Sequence, residues 1–126
     1  MLPTVLLQHE TDLGDHYDWL LTDPATATDP EGALWTARVA YPSEIWAAMG
    51  QWPIKIIAPH RRIYLTYEGP IAGDRGRVRR VDEGTFEPVT WCADHIVVDV
   101  SLKHFAGRVS MRPIAAARWQ AHMAHT

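Results

Sequence analysis

Short runs rich in β-branched and aromatic residues follow one another along the chain: TVLLQ, HYDWLLT, LWTARVA, IKIIA, IYLTY, RVRRV, TFEPVTW, HIVVDVSL and RVSMRPI. Segments rich in Gly, Pro and Asp separate them. Such punctuation leaves little room for long helices, and the number and spacing of the runs predict a mainly β fold, a small antiparallel barrel or sandwich. At 126 residues and 47% hydrophobic, the chain is sized for one domain, residues 1–126, with a real core.

Two segments read as short flanking helices. PSEIWAAMG (42–50) offers Ser43 as an N-cap and Gly50 as a stop, and AAARWQAHMAH (115–125) is rich in helix formers and would cover an open end of the sheet. DPATATDPEG (23–32), with two Asp-Pro pairs and little to bury, reads as a mobile surface loop. RVRRVDEGTFEPV (77–89) reads as a hairpin turning at Asp82-Glu83-Gly84, and HIVVDVSLKHFAGRVSMRPI (95–114) as another whose turn includes Ala106-Gly107.

The formal charge of −3 excludes a broadly basic nucleic-acid binder while leaving room for local cationic patches. A single cysteine, Cys92, forms no internal disulfide, and the first twenty residues lack the pattern of a secretory signal, so a cytoplasmic location is expected. No apolar run approaches the roughly 20 residues of a membrane span. The tryptophans Trp19, Trp35, Trp46, Trp52, Trp91 and Trp119 are expected in the core or lining a groove.

HETDLGDHYDWLL (9–21) is the one dense cluster of ligand-type residues. If HYDWLLT is a strand, His16, Asp18 and Leu20 share one face. His9 ends the preceding run, and the turn formers of ETDLGD would fold it back beside His16. Two imidazoles and a carboxylate suit Mn²⁺, Fe²⁺ or Zn²⁺ and leave coordination positions for water or a substrate oxygen. The alternative is a polar surface turn entering a strand, and spacing alone leaves both open.

Taken together and in order, HETDLGDHYDWLL, LWTARV, HRRIYLTYEGPI and GRVRRVDEGTFEP resemble the 3′-phosphoesterase domain of bacterial DNA ligase D. The resemblance spans about residues 5 to 90, with HYD and YEGPI in register with VDEGTFEP as its most specific elements. It implies a closed β-barrel with a metal held by His9, His16 and Asp18, usually Mn²⁺, with Zn²⁺ and Co²⁺ the other candidates. It further implies active-site roles for His60 and Tyr64 and metal-dependent removal of phosphate or a ribonucleoside from nucleic-acid 3′ ends in DNA repair. A separate ligase or polymerase would be the partner.

Two departures stand out. Leu20 occupies the position of a phosphate-binding arginine, and Ala58-Pro59 replaces an acidic pair before His60. Compensation would come from Arg61 and Arg62, or from Arg75, Arg77, Arg79 and Arg80, with Arg62 and Arg77 the leading phosphate-binding candidates. The departures also allow a catalytically impaired module that binds nucleic-acid ends or a repair partner. A metal-dependent enzyme acting on a small phosphorylated or oxygenated ligand is the third alternative.

Overall fold

The computed structural model describes residues 1–124 and contains one antiparallel sheet. Its strands are β1 (Leu2–Thr11), β2 (Gly14–Thr22), β3 (Ala33–Val39), β4 (Gln51–Arg61), β5 (Gly69–Pro70), β6 (Arg77–Cys92), β7 (His95–Leu102), β8 (Ala106–Ala115) and β9 (Arg118–Ala124). The order is β1-β2-β3-β4-β9-β8-β7-β6-β5, and β1 also pairs with β6. That extra pairing closes eight strands into a barrel, with the two-residue β5 laid beside β6. Closure removes the exposed edges that an open sheet of this size would present.

Alternation along every barrel strand supplies the interior. Leu6, Trp19, Val39, Trp52, Phe86, Val98, Met111 and Trp119 belong to one buried cluster. Trp46, from the single α-helix α1 (Trp46–Met49), stacks on Trp52 at a ring separation of 4.8 Å and so plugs this interior from one side. Gly50 ends α1 at a φ of 74°, a conformation open to glycine.

A second apolar cluster lies on the opposite face of the sheet. Val5, Leu7, Leu20, Leu34 and Val78 pack under Tyr64, Leu65, Tyr67 and Ile71, all from the 62–71 stretch. Thr4-Val5-Leu6-Leu7 and Trp19-Leu20-Leu21-Thr22 are therefore buried on both faces, which explains why Val5-Leu6-Leu7 and Trp19-Leu20-Leu21 are continuously apolar. Each fully buried leucine contributes on the order of 1.5–3 kcal/mol.

Several local expectations are corrected. IYLTY forms a 3₁₀ turn (Arg62–Leu65) and the loop after it, because its apolar side chains cover the outer cluster instead of joining the sheet. Residues 77–89 do not turn at Asp82-Glu83-Gly84; they form the first part of the continuous strand β6. The Asp82 carboxylate, 2% exposed, accepts from the Ser43 hydroxyl at 2.6 Å and from the backbone N–H groups of Glu83, Lys103 and His104 at 2.7–3.1 Å. Gly84 is required by a close strand crossing, since a Cβ there would collide with the Ser101 carbonyl.

Ser43 consequently does not cap its helix. Residues 118–124 are strand, not helix, because Trp119 and Ala121 alternate inward with period two. The 95–114 hairpin forms, but its turn is Lys103–Phe105, and Ala106-Gly107 already belong to β8. The 23–32 segment is tied down: Pro24–Thr26 form a 3₁₀ turn capped by Asp23, and the Arg62 guanidinium donates to the Thr26 and Ala27 carbonyls at 3.0 and 3.2 Å. Among the described residues, no helix is long and apolar enough to cross a membrane.

Because Asp82 satisfies four donors at once, Asp82→Ala is expected to destabilise the fold by at least about 3 kcal/mol, and Ser43→Ala by about 1–2 kcal/mol. Urea denaturation of the two variants checks both values.

Candidate metal centre

The register of β1, β2 and β3 assembles the site. His9 stands opposite His16, and Asp18 stands between Leu7 and Arg38. All these side chains lie on the outer face, the side of the Leu20 cluster. His60 reaches the same face from β4, where it pairs with Leu34. The register shift on β4 falls between Ile57 and His60, so Ala58-Pro59 sit in an irregularity that re-aims the histidine.

Asp18 is the hub. Its carboxylate is essentially inaccessible, the residue being 1% exposed, and three imidazoles face it. His16 Nε2 lies 3.4 Å from Oδ1, while His9 Nδ1 and His60 Nε2 each lie 3.8 Å from Oδ2. His9 Nδ1 and His16 Nε2 are 3.1 Å apart. Donors each about 2.1 Å from one ion stand roughly 3.0–3.4 Å from one another in octahedral or tetrahedral coordination. The His9–His16 and His16–Asp18 separations fall in this range, and ligand atoms of His9, His16 and Asp18 all lie within 4.8 Å of one another, close enough for the three residues to hold a metal ion.

On His9 the proton position favours the same arrangement. His9 Nε2 lies 2.6 Å from the Arg75 carbonyl oxygen, which only accepts, so Nε2 carries the proton and Nδ1 presents a lone pair to the site. A carbonyl holding the far nitrogen of a ligand histidine is a common orienting device in metal sites. His60 Nδ1 faces the Ala58 carbonyl at 3.3 Å in the same way, leaving Nε2 toward Asp18. Burial holds the His16 imidazole below its ordinary range; Asp18 opposes this, whereas Arg38 and His9 add to it.

Each imidazole nitrogen stands 3.4 Å or farther from the carboxylate, and Asp18 Oδ1 has no hydrogen-bond partner. A buried, unsatisfied carboxylate oxygen is costly. A divalent cation between these three side chains removes that cost, so the residues fit a metal.

A cleft of about 350 Å³ opens over the centre, lined by His9, Asp18, His60, Tyr64 and the arginines Arg38, Arg61 and Arg75. Tyr64 meets His60 edge to face at a ring separation of 5.3 Å. All five residues expected at the site on resemblance, His9, His16, Asp18, His60 and Tyr64, are brought together. The two leading phosphate-binding candidates are not: Arg62 is committed to the 23–32 segment, and exposed Arg77 lines a separate shallow pocket with Glu10 and Thr11.

Arg38 was not foreseen as a site residue. Nothing local marks it, because only the β2–β3 register sets it beside Asp18. Leu20 is fully buried in the outer cluster, so an arginine at that position would have to displace packed side chains.

The chain matches no protein-family model, and no curated protein matches it. The chemistry of the site is accordingly read from its own geometry.

Calorimetric titration with Mn²⁺ is expected to give one site per chain, with His16→Ala and Asp18→Ala each weakening it more than about 100-fold, beyond the usual effect of changing a group that only holds a ligand side chain in place. In metal-free protein, burial holds the folded-state pKa of His16 below the ordinary imidazole value of 6.5. Its neutral form therefore contributes stability above about pH 6.5 that is lost as pH falls through the lowered value. Thermal denaturation between about pH 7.5 and about pH 5 should show a smaller loss in His16→Gln than in the wild type.

Proposed function

We propose that the chain is a divalent-metal-dependent phosphoesterase acting on 3′-phosphate ends of nucleic acid, of the ligase D phosphoesterase type, with Mn²⁺ the favoured metal. The observation that carries this reading is a buried carboxylate faced by three imidazoles beneath a cleft with three arginines. Phosphate monoesters need both halves of that arrangement: a centre that generates a nucleophile, and cations that neutralise the phosphoryl oxygens. The ordered sequence resemblance supports the nucleic-acid end as substrate, and DNA repair with a separate ligase or polymerase as the setting.

When bound by His9, His16 and Asp18, the ion supplies Lewis acidity toward a phosphoryl oxygen and lowers the pKa of a water. Arg38, Arg61 and Arg75, approaching from different elements, hold the remaining phosphoryl oxygens and take over from the arginine that Leu20 replaces. His60, with Nδ1 anchored on the Ala58 carbonyl, donates a proton from Nε2 to the departing 3′ oxygen. The water oxygen bonds to phosphorus as the bond to the 3′ oxygen breaks, and the proton released by the water replaces the one given up by His60, giving a 3′-hydroxyl and inorganic phosphate. Tyr64 is a positioning residue that keeps the His60 ring turned toward Asp18.

A second reading, a module that binds nucleic-acid ends without turnover, is favoured by one observation: apolar packing around Leu20 fills the place of a phosphate-binding arginine.

Release of inorganic phosphate from a 3′-phosphate oligonucleotide with Mn²⁺ is the deciding assay. His60→Ala is expected to lower kcat by about 10²–10⁴-fold while changing Mn²⁺ affinity by less than about tenfold. Metal-dependent binding with no phosphate release across Mn²⁺, Co²⁺ and Zn²⁺ would select the second reading.

A further inference from the structure

Beyond Asp18, the same cross-strand row continues in register around the barrel. Asp18 on β2 stands opposite Arg38 on β3, Arg38 opposite Lys55 on β4, and Lys55 opposite Arg118 on β9. Three cations thus stand side by side on adjacent strands, roughly 4.8 Å from one strand to the next. All three are exposed, and none forms an ion pair among the described residues. Like charges directly opposite one another on a sheet repel and destabilise it. Beyond Asp18 and Asp15 at one end, the row meets no carboxylate partner among the described residues, an arrangement that a polyanion would relieve.

The row borders a cleft of about 380 Å³ whose metal end is Asp15 and His16 and whose far end is Arg118. Its exposed apolar lining is Pro53 and Ile114. Ile114 falls at the register shift on β8 and is 62% exposed, an unusual position for a large aliphatic side chain. A surface that alternates cations with apolar area matches a polymer that alternates phosphates with base faces.

We infer that this row is the track for the single-stranded segment leading to the 3′ end: Arg38 stays with the terminal phosphate, Lys55 and Arg118 pair with the phosphodiesters that lead to it, and the Pro53–Ile114 floor takes a base. The inference rests on the phosphoesterase reading for its polarity, since the terminal phosphate then lies at Asp18. The repeated charge selects a nucleic acid over a small phosphorylated ligand, which would use only the metal end.

The test is binding, measured apart from turnover. Fluorescence anisotropy with a labelled single-stranded octanucleotide over a salt series compares the wild type with Lys55→Glu/Arg118→Glu, Lys55→Gln/Arg118→Gln and Arg77→Glu. Arg77 is an exposed cation on β6, across β1 from the metal strand. Each double variant is expected to weaken binding, the Glu pair by roughly tenfold or more, and to flatten the slope of log K against log salt by about 1.4, the value for two lost single-strand contacts.

Arg77→Glu is expected to change affinity less than twofold, and unchanged Mn²⁺ affinity in the double variants shows that they are folded. An unaltered slope in both double variants, an equal loss in Arg77→Glu, or equal displacement by poly-glutamate at matched charge overturns the inference, as does a wild type that binds no octanucleotide. Binding that follows the row while no 3′-phosphate is released would sink the catalytic reading alone and leave the track standing.

Discussion

The structure depends on the seam at β1. This strand is hydrogen-bonded to β2 on one side and β6 on the other, and that double pairing turns a sheet into a barrel. Once closed, the barrel still has apolar residues on the outer side of β1 and β2, because Val5, Leu7 and Leu20 alternate with interior side chains. Something must cover them, and the chain between β4 and β6 does so. The cover brings Tyr64, Ile71 and Arg75 to the rim of the metal centre. Hydrophobic closure and assembly of the cleft are thus one event: the layer that shields Leu20 also supplies one wall of the site.

Two buried carboxylates show what separates a structural acid from a functional one. Asp82 is surrounded by four donors and has nothing left to bind. Asp18 is at least as buried, yet its neighbours are imidazole nitrogens beyond ordinary hydrogen-bond range, and one of its oxygens is unpartnered. Burial is the same in both; the donor set is not. In the first case the charge organises a strand crossing, and in the second it belongs to a group of side chains that could hold a metal ion.

Much of this was legible in the sequence, and the failures have physical causes. Alternation identified the barrel strands and put His16 and Asp18 on one face, because a period of two survives without tertiary information. IYLTY failed because a β-rich run can also serve as a lid. Asp82-Glu83-Gly84 failed because turn chemistry is equally the chemistry of a close crossing, and AAARWQAHM because three alanines outweighed the Trp119–Ala121 alternation. His60 could be singled out only through resemblance, since its approach to Asp18 spans distant strands. Which arginine faces the site, Arg38 or Arg62, is set by register and by the needs of the 23–32 segment, and neither is written locally.

The bond from His9 to the Arg75 carbonyl carries one last consequence. The group that selects the imidazole tautomer is a main-chain oxygen, so every amino acid at position 75 would supply it. A survey of point substitutions would record the position as tolerant, apart from the loss of a guanidinium. Changing the length of the connection by one residue would instead displace the oxygen and rotate the ligand with it. Information essential to the centre is therefore stored as path length, a quantity to which residue-by-residue comparison is blind and which insertions and deletions alone can edit.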